Sequence, residues 1–317
     1  MAHQLNDKDR GDFVLKHVIE MAHDDDNEDN RIVAVQLFSS MSECFGKNLC
    51  EQFIGLELLS LGEDVSFKVR KEAIKQLPTI GKLVSKQFFS RLFSFYQAKA
   101  RDSSNWAIRK ACIDIALEVS KLCLPEEREG PLTETYILLL KDNNKWVRIS
   151  AYKNLGPFIH QVRNKLNPEL FREFCRMPDS DVNGLSKENE IIFSCAYNFP
   201  AVLDAVGREK WESDLWKVYE KLLKSNDKRL KVTLSESLHE IARLLGEVLT
   251  EKYLFRVVDT FFRDKNDEIK LGVIKHMSAI MRVLSENKRE SLIGVFEEFQ
   301  KDQKKWRIRE SIGKQLG

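Results

Sequence analysis

The sequence predicts an all-α solenoid of about eight two-helix repeats, and three observations carry that reading. A basic anchor recurs at a 39-residue interval, apolar residues flank it at fixed offsets, and a second amphipathic stretch precedes each copy. Strand-like alternation bounded by hairpin dipeptides is scarce, and no convincing strand pair flanks the one Asn-Gly step, Asn183-Gly184.

The anchors run Arg31, Arg70, Arg109 and Arg148 at 39-residue steps. A single slip of 44 residues leads to Ile192, after which 39-residue steps resume at Lys231, Lys270 and Arg309. One residue before the anchor stand Val69, Ile108, Val147, Ile191, Leu230, Ile269 and Ile308, with Asn30 breaking the column. Three after it come Ala34, Ala73, Cys112, Ala151, Cys195, Leu234, Val273 and Ile312. Further columns lie seven after it, from Phe38 to Leu316, and ten after it, from Met41 to Ile280. Offsets of minus 1, 3, 7 and 10 trace one stripe of a 3.6-residue helix, so each unit contains a helix buried along that face.

Ahead of each of these helices lies another amphipathic run, among them EQFIGLELLSL, QFFSRLFSFY, DLWKVYEKLL and EKYLFRVVDTFF. Neither helix of a pair hides its apolar face alone, and stacking neighbours buries a shared core. An aspartate marks the intervening turn, six before the anchor as Asp25, Asp64, Asp142 and Asp264, and seven before it as Asp102 and Asp302. Such an acid is expected to cap the second helix, and the base to reach a neighbour's acid. The irregular junction at 164–190, with MPDSDVNGLSKENE loosely patterned and Ile192 in place of a base, is a candidate hinge. The last copy stops inside its second helix, so residues 1–317 are expected to be a single solenoid cut from a longer array.

Composition excludes several function classes. With 51 basic against 49 acidic residues the net charge of +2 gives no general case for nucleic-acid or membrane binding. The amino-terminal stretch lacks the order of a signal peptide, and apolar runs such as YILLL are too short to span a bilayer. An intracellular protein of the cytoplasm, and also of the nucleus, is expected. The six cysteines form no CxxC pair and read as reduced, packed thiols. No phosphate loop, dinucleotide fingerprint, zinc-protease motif or nucleophile elbow occurs, so neither catalytic residues nor a cofactor are assigned. His239-Glu240 lacks a second histidine, and His23 with Asp24, Asp25 and Asp26 falls in a turn where an acidic run is expected; no metal site is assigned.

The period near 39, the helix pair and the Asp, Val, Arg pattern in the turn resemble the HEAT repeat. That resemblance implies a right-handed α-α superhelix, with a ladder of hydrogen bonds between successive turns formed by Arg31, Arg70, Arg109, Arg148, Lys231, Lys270 and Arg309. The ordered stretches NWAIRKACIDIA, WVRISAYKNLGPFI, CAYNFPAVLDAVGREKW, TLSESLHEIARLLG, EIKLGVIKHM and KKWRIRE resemble the family of phosphatase 4 regulatory subunit 1, related to the phosphatase 2A scaffold subunit. The family implies a non-catalytic scaffold that binds a phosphatase 4 type catalytic subunit, with further regulatory proteins or substrates as additional partners. By analogy with the scaffold's turn ridge, the candidate contacts are Trp106, Lys145, Trp146, Lys228, Arg229, Lys305 and Trp306. The tryptophans sit just before an anchor, where they either cover the seam between repeats or form a partner-binding ridge. A different class of function is a HEAT adaptor for transport or cytoskeletal cargo, which would place the binding residues on the concave helix faces instead.

Overall fold

The computed structural model describes residues 10–179, 189–301 and 306–316, and among them every element is helical. They form eight helix pairs. The second helices begin at Glu28, Phe67, Trp106, Lys145, Asn189, Lys228, Asp267 and Trp306, which places every anchor three residues into its helix. The spacing of those starts is 39 residues throughout, except for 44 between Lys145 and Asn189. The fold is an all-α solenoid of HEAT-like repeats. Of the irregular junction, residues 180–188 lie outside the described residues.

The predicted stripe is buried. Val69, Ile108, Val147, Ile191, Leu230, Ile269 and Ile308 are at most 3% exposed, and all eight residues at the next column, from Ala34 to Ile312, are buried too. Each fully buried aliphatic side chain contributes roughly 1.5–3 kcal/mol relative to exposure, so this repeated face outweighs helix propensity as the source of order. Met41, half-buried in the first repeat, is the looser member of its column.

Residues 1–154 and 155–317 form two compact units. In the first, Tyr96 and Tyr136 reach from first helices to donate to the carbonyls of Cys112 at 3.1 Å and Ala151 at 2.7 Å. These buried hydroxyls satisfy carbonyls inside the second helices and fix the depth at which the pair packs. In the second, an aromatic cluster of Phe199, Trp211, Trp216, Tyr219 and Tyr253 occupies the fifth to seventh repeats. Trp211 and Tyr219 are fully buried within it.

Two connections between repeats recur. Gly46, Gly207 and Gly246 stand fifteen residues after their anchors with φ of 73°, 83° and 76°. Only glycine adopts this backbone readily, and it lets the chain leave one helix and enter the next within a residue or two. Elsewhere an acid of one repeat holds the start of the next repeat's first helix: Glu51 accepts from Ser85 N at 2.9 Å and Oγ at 2.7 Å, and Glu251 accepts from Ser285 N at 2.8 Å.

Among the described residues the turn aspartates Asp64, Asp102, Asp142 and Asp264 do not cap the second helices, contrary to the expectation from their position, and Asp302 lies outside the described residues. These four accept instead from the amide two residues on, at 2.7 to 2.8 Å, closing the turn. Asn27, Ser66, Asn105, Asn144, Asp227 and Asn266 supply the caps. A carboxylate bound to the turn's own amide cannot also reach the helix, and the residue nearer the helix takes that role.

Gly156 reports how tightly neighbouring second helices pack. A Cβ there would stand 2.4 Å from Asn198 Cβ, an atom that no rotamer change can move. Gly156→Ala gains about 1 kcal/mol of helix propensity, but the overpacking costs roughly 1–3 kcal/mol. The expected outcome is a small net loss, read as a lower urea midpoint; an increase would show that these helices separate at little cost.

Candidate functional site

Seven aromatic and basic residues are the candidates, and six of them are described. Trp106, Lys145, Lys228 and Trp306 are each the first residue of a second helix, with Trp146 and Arg229 one residue further on. Lys305 lies outside the described residues. Trp106, Trp146 and Trp306 are 43%, 46% and 63% exposed, so an indole face is open to solvent at each of these turns. Phe67, first residue of the second repeat's helix, is 44% exposed at the same position.

The cap explains why these rings point outward. Asn105 Oδ1 accepts from Ala107 N, and Asn144 Oδ1 accepts from Trp146 N, which sets the first helical turn with its apolar stripe inward at Ile108 and Val147. Residues one or two positions earlier then face away from the core. Lys145 Nζ lies 4.6 Å above the Trp146 ring, a cation–π pair that keeps the ring ordered while leaving it accessible. Beside these turns lies a hollow of about 340 Å³ lined by Arg101, Arg109, Leu138, Lys141, Asp142 and Asn143. In the other unit Arg229 lies over the Phe193 ring at 3.8 Å and pairs with Glu190 at 3.2 Å, while Lys228 is exposed. Trp306 stands two repeats further on, so it does not join Lys228 and Arg229 on one turn.

The anchor bases form a ladder with gaps. Arg31 grips Asp64 with two hydrogen bonds of 2.8 and 3.1 Å, and Arg109 grips Asp142 with two of 2.6 and 2.9 Å. Each also donates Nη1 to its own turn, to the Asp24 and Asp102 carbonyls respectively. Arg70 donates to the Asp64 and Val65 carbonyls of its own turn, and no hydrogen bond joins it to Asp102 among the described residues. Ser104 already satisfies Asp102 with both its amide and its hydroxyl. Arg148 donates to the Asp142 and Asn143 carbonyls of its own turn. Lys270 Nζ lies 3.6 Å from Asp267 of its own helix, and among the described residues Lys231 makes no ion pair with Asp264. Arg309 is half-buried early in the eighth repeat's second helix. A lysine has one point charge where arginine has a two-pronged fork, and both bidentate rungs among the described residues are at arginines.

The Arg109 rung has the shorter bonds of the two. The Asp142 bond raises the Arg109 pKa further. At Asp142, burial would push the carboxyl up, but hydrogen bonds from Arg109 and the Asn144 amide outweigh it and hold it below the usual range. The thiols move the other way: burial pushes Cys123 and Cys175 up to about 12 and raises Cys112 and Cys195 well above the ordinary thiol value, which leaves negligible thiolate at neutral pH. His23 Nε2 sits 3.0 Å from Glu57, and among the described residues no group of three acids, histidines or cysteines is placed to hold a metal ion. No described helix is long and apolar enough to cross a membrane.

Helix pairs stacked through a buried stripe, with turns closed by Asp and clasped by Arg, define a HEAT-like helical-repeat protein. Within that class the chain resembles protein phosphatase 4 regulatory subunit 1. The family described as the protein phosphatase 4 regulatory subunit 1 middle domain matches residues 195–299. Human serine/threonine-protein phosphatase 4 regulatory subunit 1 is 30% identical over 158 residues, which is 49% of this chain and 16% of the relative. Human regulatory subunit 4 is 20% identical over 297 residues, covering 86% of the chain and 34% of that protein. The chain thus spans a minor part of the curated relatives it matches. Among solved structures, Kap121p bound to Nup53p has a TM-score of 0.69 at 13% identity, covering 97% of this chain and 33% of that one. Kap95p, in a structure with RanGDP, has a TM-score of 0.68 at 12% identity, covering 97% and 42%. At such identities these two bear on the fold alone.

Sequence reasoning located the turn aromatics but missed a second feature, a groove between the first helices of the sixth and seventh repeats. Its lining includes Trp216, Lys231, Tyr253, Phe255, Arg256 and Lys288, drawn from the sixth, seventh and eighth repeats. The first-helix residues among them follow none of the anchor columns, so no periodic signal marks them.

Proposed function

We propose that this chain is a non-catalytic regulatory or scaffold segment that binds the catalytic subunit of a protein serine/threonine phosphatase of the phosphatase 4 type and helps bring it to substrates, in the cytoplasm and the nucleus. The observation that carries this reading is the 30% identity over 158 residues to a protein named as a phosphatase 4 regulatory subunit. The surface chemistry supports it, since half-exposed indoles beside cations are the side chains that anchor protein interfaces. Trp106, Lys145 and Trp146 are the proposed contacts in one unit, and Lys228, Arg229, Lys305 and Trp306 in the other.

A pull-down of a phosphatase 4 type catalytic subunit by the protein tests the proposal, with Trp146→Ala as its sharpest probe. Trp146 is 46% exposed and fills no core space, so helical content by circular dichroism should not change. Binding should weaken by about 2 kcal/mol, roughly thirtyfold, if the ring is an interface anchor. Capture of no phosphatase by the protein would sink the reading, and undiminished capture by the variant would remove these turns from it.

A further inference from the structure

We propose that the groove between the first helices of the sixth and seventh repeats binds an acidic peptide segment of a protein partner, one in which an apolar side chain neighbours a carboxylate. The groove has a volume of about 740 Å³ and lies wholly within one compact unit. It is distinct from the turns proposed above for a phosphatase, and its test does not depend on that reading.

Its chemistry is an excess of uncommitted positive charge over an aromatic wall. Lys231, Lys252, Arg256 and Lys288 line it against two acids, Glu251 and Asp264. Of the cations, Lys252 is committed to Glu212 at 2.6 Å. Lys231 and Arg256 make no side-chain hydrogen bond or ion pair among the described residues, and Lys288 lies 4.4 Å over the Phe255 ring. The acids are committed to backbone: Glu251 to Ser285 N at 2.8 Å and Asp264 to Asn266 N at 2.8 Å. The corresponding place in the first and third repeats holds a bidentate Arg–Asp clasp, at Arg31–Asp64 and Arg109–Asp142. Here Lys231 and Asp264 leave that clasp unmade, and both line the groove.

The wall decides the rest of the ligand. Trp216 and Tyr253 stand with ring centroids 4.9 Å apart, backed by the fully buried Trp211 at 5.8 and 6.1 Å. A rigid aromatic wall beside two unpaired cations, Lys231 and Arg256, fits a carboxylate followed by an aliphatic or aromatic residue. A nucleic-acid backbone fits poorly, because a net charge of +2 over the chain offers no continuing track for its phosphates.

The experiment is fluorescence anisotropy of the whole chain with a short labelled peptide alternating Asp or Glu with Leu or Phe, beside a peptide with Asn and Gln in place of the acids. Saturable binding of the acidic peptide is expected, weakening with salt, with the neutral peptide about tenfold weaker. Arg256→Glu and Lys231→Glu should each lower acidic-peptide affinity about tenfold or more, whereas Lys121→Glu in the other unit should not. Arg256 is exposed and unpartnered, so Arg256→Glu reads binding without threatening the fold, which circular dichroism checks. Absence of binding, equal binding of the neutral peptide, or affinity that survives Arg256→Glu and Lys231→Glu overturns the proposal.

Discussion

Arg109→Ala is expected to destabilise the protein by roughly 3–5 kcal/mol at neutral pH, because it leaves Asp142 charged and buried without its partner. The side chains of Arg109 and Asp142 are 13% and 6% exposed, and their two bonds of 2.6 and 2.9 Å have the fork geometry that makes such pairs strong. The same guanidinium also holds the Asp102 carbonyl at 2.8 Å, so one substitution opens two turns. The effect has a pH signature. The Asp142 carboxyl is held below the usual range in the folded protein, so its contribution is fully present above the unfolded aspartate value near ~3.9 and is lost as pH falls through the folded one. In the variant, acid relieves the buried charge. Urea unfolding should therefore show the gap between parent and variant narrowing as the pH drops below about 4. A gap that stays constant would mean that the loss comes from the carbonyl bonds and not from the ion pair.

Trp211→Ala is the second large effect. Trp211 is fully buried and lies within about 6 Å, centroid to centroid, of Trp216, Tyr219 and Tyr253, so truncation opens a cavity that costs roughly 3–5 kcal/mol. An opposing contribution exists, since the indole Nε1 has no hydrogen-bond partner among the described residues and an orphaned donor costs about 1–3 kcal/mol. The net expectation is a loss of about 3 kcal/mol in chemical denaturation. Trp211→Phe removes the orphaned donor with a smaller cavity and should cost less than about 1.5 kcal/mol. If Phe cost as much as Ala, the Nε1 would have to be bonded after all. The alanine variant should also slacken the wall formed by Trp216 and Tyr253.

The second helices were legible in the sequence because one residue column per repeat is enough to count them. Arg31, Arg70 and Arg109 mark three successive starts, and the structure opens a helix three residues before each. The turn aromatics were legible as positions for the same reason. What did not follow was the partner of each charged group, because a 39-residue period says which turn a base stands on and not whether the next acid is already satisfied. Asp102 is taken by Ser104, and the ladder has a gap there that no spacing reveals. The helix-start clasps Glu51–Ser85 and Glu251–Ser285 escaped because, among the described residues, they recur in two repeats and set no period. The groove was invisible because Trp216 and Tyr253 belong to different first helices, whose contacts depend on packing across repeats.

The unequal rungs also make the repeats unequal as mechanical elements. Arg31–Asp64 and Arg109–Asp142 act as buckles, each needing two bonds to break together before adjacent turns can part. Lys231 and Asp264 leave the sixth and seventh turns unbuckled, and the ties between these repeats lie elsewhere, from Glu212 to Lys252 at 2.6 Å and to Tyr253 at 2.8 Å. A load along the chain would meet stiff joints at the buckled turns and a more compliant one at the sixth, where no two-pronged clasp has to break before the turns part.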